Sequence, residues 1–182
     1  MTRPFALVMS LAVLVVLIVG VPASVWSDPW DKQINTPQRF KVLADFGGTA
    51  VLDKETGLVW ERSPENGFQS QWTQAQALCN LKNVGNRKGW RLPAVQELAS
   101  LVDPSVPSPG PTLPPGHPFE NVMVTGGVVP PGSSAYWTAN TWATDPTVAW
   151  EVEFQTGVVA NTSKAAFLWV WCVRTGAGVD VQ

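Results

Sequence analysis

Hydrophobic and polar positions divide the chain into stretches of different period. Residues 5–19 are apolar but for Ser10, whereas beyond residue 40 apolar positions come in short runs broken by glycine, proline and charge. Three such runs, residues 40–44, 50–52 and 58–61, predict the strands of an antiparallel meander. Gly47 and Gly48 separate the first two. Asp53-Lys54-Glu55-Thr56-Gly57 separates the last two, and Gly57 can supply the positive φ of a hairpin loop.

The period then changes to that of a helix. Thr73 is placed to cap it, Ala75, Ala77, Leu78, Cys79 and Leu81 form an apolar stripe, and Gly85 ends it. This puts Cys79 on the buried side. A second helix is predicted over residues 93–102, with Pro93 in its first turn, Val95, Leu98, Leu101 and Val102 at helical spacing, and Asp103-Pro104 as its stop. Residues 104–134 are rich in proline, glycine and serine, and so long a connection inside a domain tends to be functional when ordered. Strands resume over residues 135–141, 149–155 and 167–174. The order of elements predicts an α+β domain, two helices packed on short antiparallel sheets with a long irregular loop region.

Charge and composition narrow the function. A formal net charge of −2 supplies no global field for phosphate backbones, so nucleic acid is not expected as a partner. The local run Lys82, Arg87, Lys88, Arg91 reads first as a solvated loop and only second as a site for an acidic ligand. Ten tryptophans beside one tyrosine predict an aromatic core.

Residues 1–27 combine Arg3, the apolar stretch and small residues that allow cleavage after Ala23 or after Ser27, which reads as a signal peptide. The competing reading is an uncleaved anchor, and membrane contact is expected only in that case. Residues 28–39 follow as a leader carrying Trp30, residues 40–176 form the domain and residues 177–182 a tail. No cysteine follows the apolar stretch to accept a lipid. Cys79 and Cys172, an even count in an exported portion, favour a disulfide that closes a very long loop. Two cysteines with His117 as the sole histidine are a poor zinc set, so neither metal nor cofactor is expected.

Several motifs occur in a characteristic order: Thr56-Gly57-Leu58-Val59-Trp60, Trp72-Thr73-Gln74-Ala75 with Cys79, Gly89-Trp90-Arg91-Leu92-Pro93 with Glu97-Leu98, Tyr136-Trp137-Thr138, Ala149-Trp150-Glu151-Val152-Glu153-Phe154 with Gly157, and Cys172-Val173-Arg174. From about Val51 to Arg174 the chain resembles the DUF1566 family, which is similar to the C-terminal domain of the Legionella collagen-like adhesin. The resemblance implies a variant of the C-type-lectin-like fold, in which a cysteine on the first helix is bridged to one on the final strand. It also implies an exported binding module, with sugar or sulfated polysaccharide as ligand class and residues 104–134 as the ligand-bearing region. The sequence departs from this pattern in three ways. Ala94 replaces a capping threonine, the Trp-Asn-Asp and Glu-Pro-Asn triplets of calcium-dependent lectins are missing, and the net charge is negative.

Trp60, Trp72, Trp90, Trp137 and Trp150 read as scaffold. Arg91 and Arg174 read as structural partners of Glu97, Glu151 or Asp103. The final strand places Trp171, Trp169 and Phe167 on the face opposite Cys172, Val170 and Leu168. That face is either covered, by the leader with Trp30 or by another strand, or is a platform for sugar rings or a partner protein. Trp142 with Asn140, Thr144 and Asp145 lies between two late strands, and a flat ring beside amide and carboxylate suits a pyranose. Asn140, Trp142, Asp145, Trp169 and Trp171 are therefore the candidate ligand-binding residues. No Ser/His/Asp set forms around His117, so no catalytic residue is nominated. Asn161-Thr162-Ser163 reads as a polar turn. The sequence points to a non-enzymatic module for a carbohydrate or cell-envelope component. Two alternatives remain: an interaction subunit of an envelope assembly docking through its last strand, and an oxidase related to formylglycine-generating enzymes, which needs a reactive cysteine pair.

Overall fold

A computed structural model describes residues 36–64, 69–124 and 134–176. The signal, the leader with Trp30 as far as residue 35, and the tail lie outside the described residues. A short helix α1 (Thr36–Arg39) leads into β1 (Phe40–Val42), and a 3-10 turn (Ala44–Phe46) leads to the hairpin of β2 (Ala50–Asp53) and β3 (Leu58–Glu61). Helices α2 (Trp72–Leu81) and α3 (Val95–Ala99) follow, then β4 (Ala135–Trp142), β5 (Asp145–Glu153), β6 (Val159–Ser163) and β7 (Val173–Thr175). The strands make two antiparallel sheets, one ordered β1-β2-β3-β7 and one ordered β4-β5-β6. The α+β expectation holds in this form.

The first hairpin forms where its sequence places it, because Asp53 organises its turn. The buried carboxylate accepts the Glu55 N–H and the Thr56 hydroxyl, and Gly57 takes φ +70°. Arg39 meets the same carboxylate with Nε at 3.0 Å and Nη2 at 2.8 Å, and Nη2 also donates to the Ser100 carbonyl beyond α3. One buried bidentate pair thus joins α1, the hairpin and α3.

The helices are shorter than their apolar patterns predict. Helix α2 starts at Trp72 after Gln71, with Thr73 inside the first turn and no side-chain cap. The Trp72 indole donates to the Thr138 carbonyl instead, which fixes the helix start on β4. It ends at Leu81 rather than near Gly85, whose φ of +59° serves a separate turn packed on the Phe46 backbone. Helix α3 has five residues, because Pro93 gives its carbonyl to the Ala139 N–H of β4 and is held outside the helix. Its N-terminus is closed by Glu97 on the Ala94 N–H at 2.7 Å, so the missing threonine is replaced by another acceptor.

Between residues 104 and 124 there is neither helix nor strand, yet Leu113 and Phe119 are buried and Thr112 bonds the Phe154 carbonyl through both its N–H and its hydroxyl. This part of the irregular region is a wall of the core. Strand β6 contradicts the reading of Asn161-Thr162-Ser163 as a turn: its residues alternate between exposed and half-buried, with no apolar face to mark it.

Two cores lie either side of the closing segment. One gathers Trp60, Tyr136, Phe119, Phe154 and Trp171, and the other Phe46, Val59, Trp90, Trp137, Cys79 and Cys172. The predicted strand over residues 167–174 is regular only at β7; before it, Leu168 bridges Ser70 and Trp169 bridges Tyr136. Its alternation survives, since Leu168, Val170 and Cys172 enter the second core while Trp171 enters the first. The stripe opposite Cys172 is therefore largely covered by the domain itself.

Cys79 and Cys172 are joined, with S–S 2.01 Å and Cα–Cα 5.5 Å. Beside them the buried Glu61 accepts the Cys172 N–H at 2.8 Å and the Lys82 ammonium at 2.6 Å, while its backbone carbonyl accepts the Trp171 indole at 2.9 Å. Replacing both cysteines by alanine is expected to lower the unfolding free energy by about 4 kcal/mol, measured by urea denaturation, given the 93-residue separation they span. A loss below about 1 kcal/mol would mean that the Glu61 clamp alone fixes the closing segment.

Candidate functional site

The candidate residues separate into two places. Asn140, Trp142 and Asp145 lie on the hairpin of β4 and β5, where Trp142 pairs with Asp145 across Ala143 and Thr144. Trp169 bridges Tyr136 near the other end of β4, six residues and about 20 Å along the strand from Trp142. The five do not form one cluster.

Trp171 is corrected outright as a ligand contact. Its side chain has no exposed surface and packs against Trp60, Phe119, Tyr136 and Phe154 at centroid distances of 5.7, 5.0, 5.7 and 5.5 Å. An indole that fills the centre of a core stabilises it and cannot stack on a sugar. Trp169 is half-buried against the same core, and of the stripe Phe167 alone is exposed, at 56 %.

On the hairpin each residue has a distinct setting. Asp145 accepts the Thr147 hydroxyl at 2.6 Å and the Thr147 N–H at 2.8 Å, and these bonds, the hydroxyl first, hold its carboxyl below the usual range. The Asn140 carbonyl oxygen accepts the Val95 N–H at 2.8 Å, so this amide ties β4 to α3. Trp142 is half-buried and belongs to neither core. Trp150, expected as scaffold, is also half-buried and outside both cores, with Asn161 directly opposite on β6.

Asn140 is the one candidate that lines a described cleft, a polar recess of about 200 Å³ shared with Gln76, Asn80 and Arg91. Arg91 grips Glu97 through two bonds of 2.7 Å, as its sequence context predicts. That contact draws the Glu97 carboxyl below its usual range against the opposing effect of burial. Sequence reasoning did not find Gln76 and Asn80. Their signal is spacing: one helical turn apart, next to the buried pair Ala75 and Cys79.

The basic run is dismantled by local partners. Lys82 serves Glu61, Arg91 serves Glu97, and the Arg87 guanidinium lies 5.6 Å from the Phe46 ring centroid. Arg174 pairs with no carboxylate among the described residues; it lies at the same distance over Phe46, with Nη1 buried and unbonded. His117 stacks on Phe119 and accepts its N–H through Nδ1, and burial lowers its pKa.

Glu151 is buried with Oε2 unpaired, and burial, then neighbouring Glu153, raises its pKa. A carboxyl whose folded pKa is raised destabilises the fold fully above that pKa and not at all below its ordinary value. Glu151→Gln is expected to raise Tm by a few degrees at neutral pH, with the gain fading as pH falls through the raised pKa toward the usual carboxylate range. A scan of Tm against pH checks this, and a gain that persists in acid would contradict it.

Both cysteines are taken up in the bridge and no free thiol remains. Among the described residues no helix is long and apolar enough to cross a membrane. The disulfide fits an extracytoplasmic, oxidising compartment. A search of curated proteins finds no match to the chain. A family model does match, over residues 49–174, and it is described as the Lcl C-terminal domain. That span holds both sheets from the end of the first loop onward, both longer helices and both cysteines, and the chain belongs to the Lcl C-terminal domain family, formerly DUF1566.

Proposed function

We propose that this is an exported, non-enzymatic binding module with a C-type-lectin-like fold, whose ligand is a carbohydrate or cell-envelope component met at the β4–β5 hairpin. The observation that carries the reading is the pair Trp142 and Trp150, half-buried indoles that belong to neither core, whereas Trp60, Trp90, Trp137 and Trp171 are fully buried. Flat apolar rings on strands that also carry amides, Asn140 on β4 and Asn161 on β6, suit the apolar face and hydroxyls of a pyranose. Membership of a family named for the C-terminal domain of an adhesin supports the class. A cysteine on the first long helix bridged to the closing segment supports the lectin-like architecture.

The enzymatic alternative loses its chemical basis, since a copper-dependent oxidase of the formylglycine type needs reactive thiols and both sulfurs here are bonded to each other. Docking to an envelope protein keeps one supporting observation, the exposed ring of Phe167.

Glycan-array and envelope pull-down binding is expected for the wild-type chain. Trp142→Ala and Trp150→Ala should each weaken it roughly tenfold with little change in Tm, because neither ring supports a core. Unchanged binding in the Trp142→Ala, Trp150→Ala double variant would place the ligand elsewhere.

A further inference from the structure

The polar recess beside the hairpin has a composition of its own. Gln76 and Asn80 stand one turn apart on the solvent side of α2, and neither carboxamide has a hydrogen bond within the protein among the described residues. Asn140 faces them from β4. Its oxygen is committed to the Val95 N–H, which leaves its NH2 group without a partner. Arg91 completes the rim with Nη1 and Nη2 engaged by Glu97 and the Leu92 carbonyl, so that Nε–H is left over. The remaining walls are apolar, formed by Leu92, Ala94 and Ala139.

Three properties define what fits. The recess has no net charge, because the one cation on its rim is paired at 2.7 Å with Glu97; an anionic ligand would have to compete with that bidentate contact. It offers donors and acceptors together, two whole carboxamides with an NH2 and an N–H. A hydroxyl can both give and accept a hydrogen bond, whereas a carboxylate or sulfate only accepts and would face the amide oxygens unfavourably. Its volume, about 200 Å³, lies below the roughly 300–1,000 Å³ of drug-sized pockets, so it admits one ring rather than a chain.

We infer that this recess is a subsite for a single uncharged sugar ring, with Gln76, Asn80 and the Asn140 NH2 group as the hydroxyl-binding groups and Arg91 as a donor at the rim. The inference rests on the carbohydrate reading above and deepens it: the hairpin tryptophans supply stacking, and the recess supplies the polar selection of a neutral ring.

Side-chain amides can be watched directly. The 15N-labelled full chain is titrated with the methyl glycosides of glucose, galactose, mannose and N-acetylglucosamine. At least one glycoside should move the NH2 signals of Gln76, Asn80 and Asn140 saturably, and to the same extent at low and high NaCl, as a neutral ligand requires. Gln76→Ala with Asn80→Ala, both on the outer face of the helix, should weaken that binding about tenfold with Tm unchanged. Asn140 is left intact because it holds α3. No saturable shift of the three amides with any of the four glycosides overturns the subsite. A response only to a heparin fragment, abolished by salt, also overturns it. Glycan binding that depends on Trp142 and Trp150 but survives the Gln76, Asn80 substitutions sinks the subsite and leaves the module reading intact; loss of all glycan and envelope binding by the wild-type chain sinks both.

Discussion

The sulfur bridge from Cys79 to Cys172 and the carboxylate of Glu61 act at one point of the fold. Together they hold the end of α2, the end of β3 and the segment that enters β7. A segment pinned there has a fixed rotation about its own axis, so successive side chains are sent alternately into two separate cores. Trp171 becomes the hub of one core and Cys172 a member of the other. The bridging of Trp169 to Tyr136 then places the second sheet against the first without a continuous ladder between them. Stability and placement of the second sheet thus share one cause.

That cause also explains which aromatic residues remain outside. The rings near the pinned segment are drawn inward, while the far end of the β4–β5 hairpin lies beyond the reach of either core. Trp142 sits there half-buried, and Trp150 lies half-buried further along β5, opposite Asn161. Asn140, on β4, spends its oxygen on the Val95 N–H, and the segment that leads into α3, with Arg91, Leu92 and Ala94, forms one side of the recess that Gln76 and Asn80 face.

How much of this was legible in the sequence depends on whether local chemistry or distant contacts decided the outcome. The first hairpin was legible because Asp53, Thr56 and Gly57 make its turn from within. The cysteine pair and the Arg91–Glu97 contact were legible for similar reasons of count and proximity. The length of α3 was not, because Pro93 is held by Ala139, some 46 positions away. Strand β6 carries no alternation of apolar residues, so nothing local marks it. Trp171 was misread because one strand face does not reveal whether a second core lies behind it. Gln76 and Asn80 are ordinary polar positions until β4 is brought opposite them. The candidate site was therefore legible as a hairpin and not as a recess.

The family match extends from residue 49 to residue 174, and so includes both cysteines and every residue of the hairpin and recess. The account depends on the covalent tie between α2 and the closing segment. Peptide mapping by mass spectrometry of the native exported protein, without reduction and with free thiols blocked, measures that tie directly. The account predicts one disulfide-linked pair containing Cys79 and Cys172 and no blocked thiol. Two blocked cysteines in a folded, monodisperse protein would contradict it.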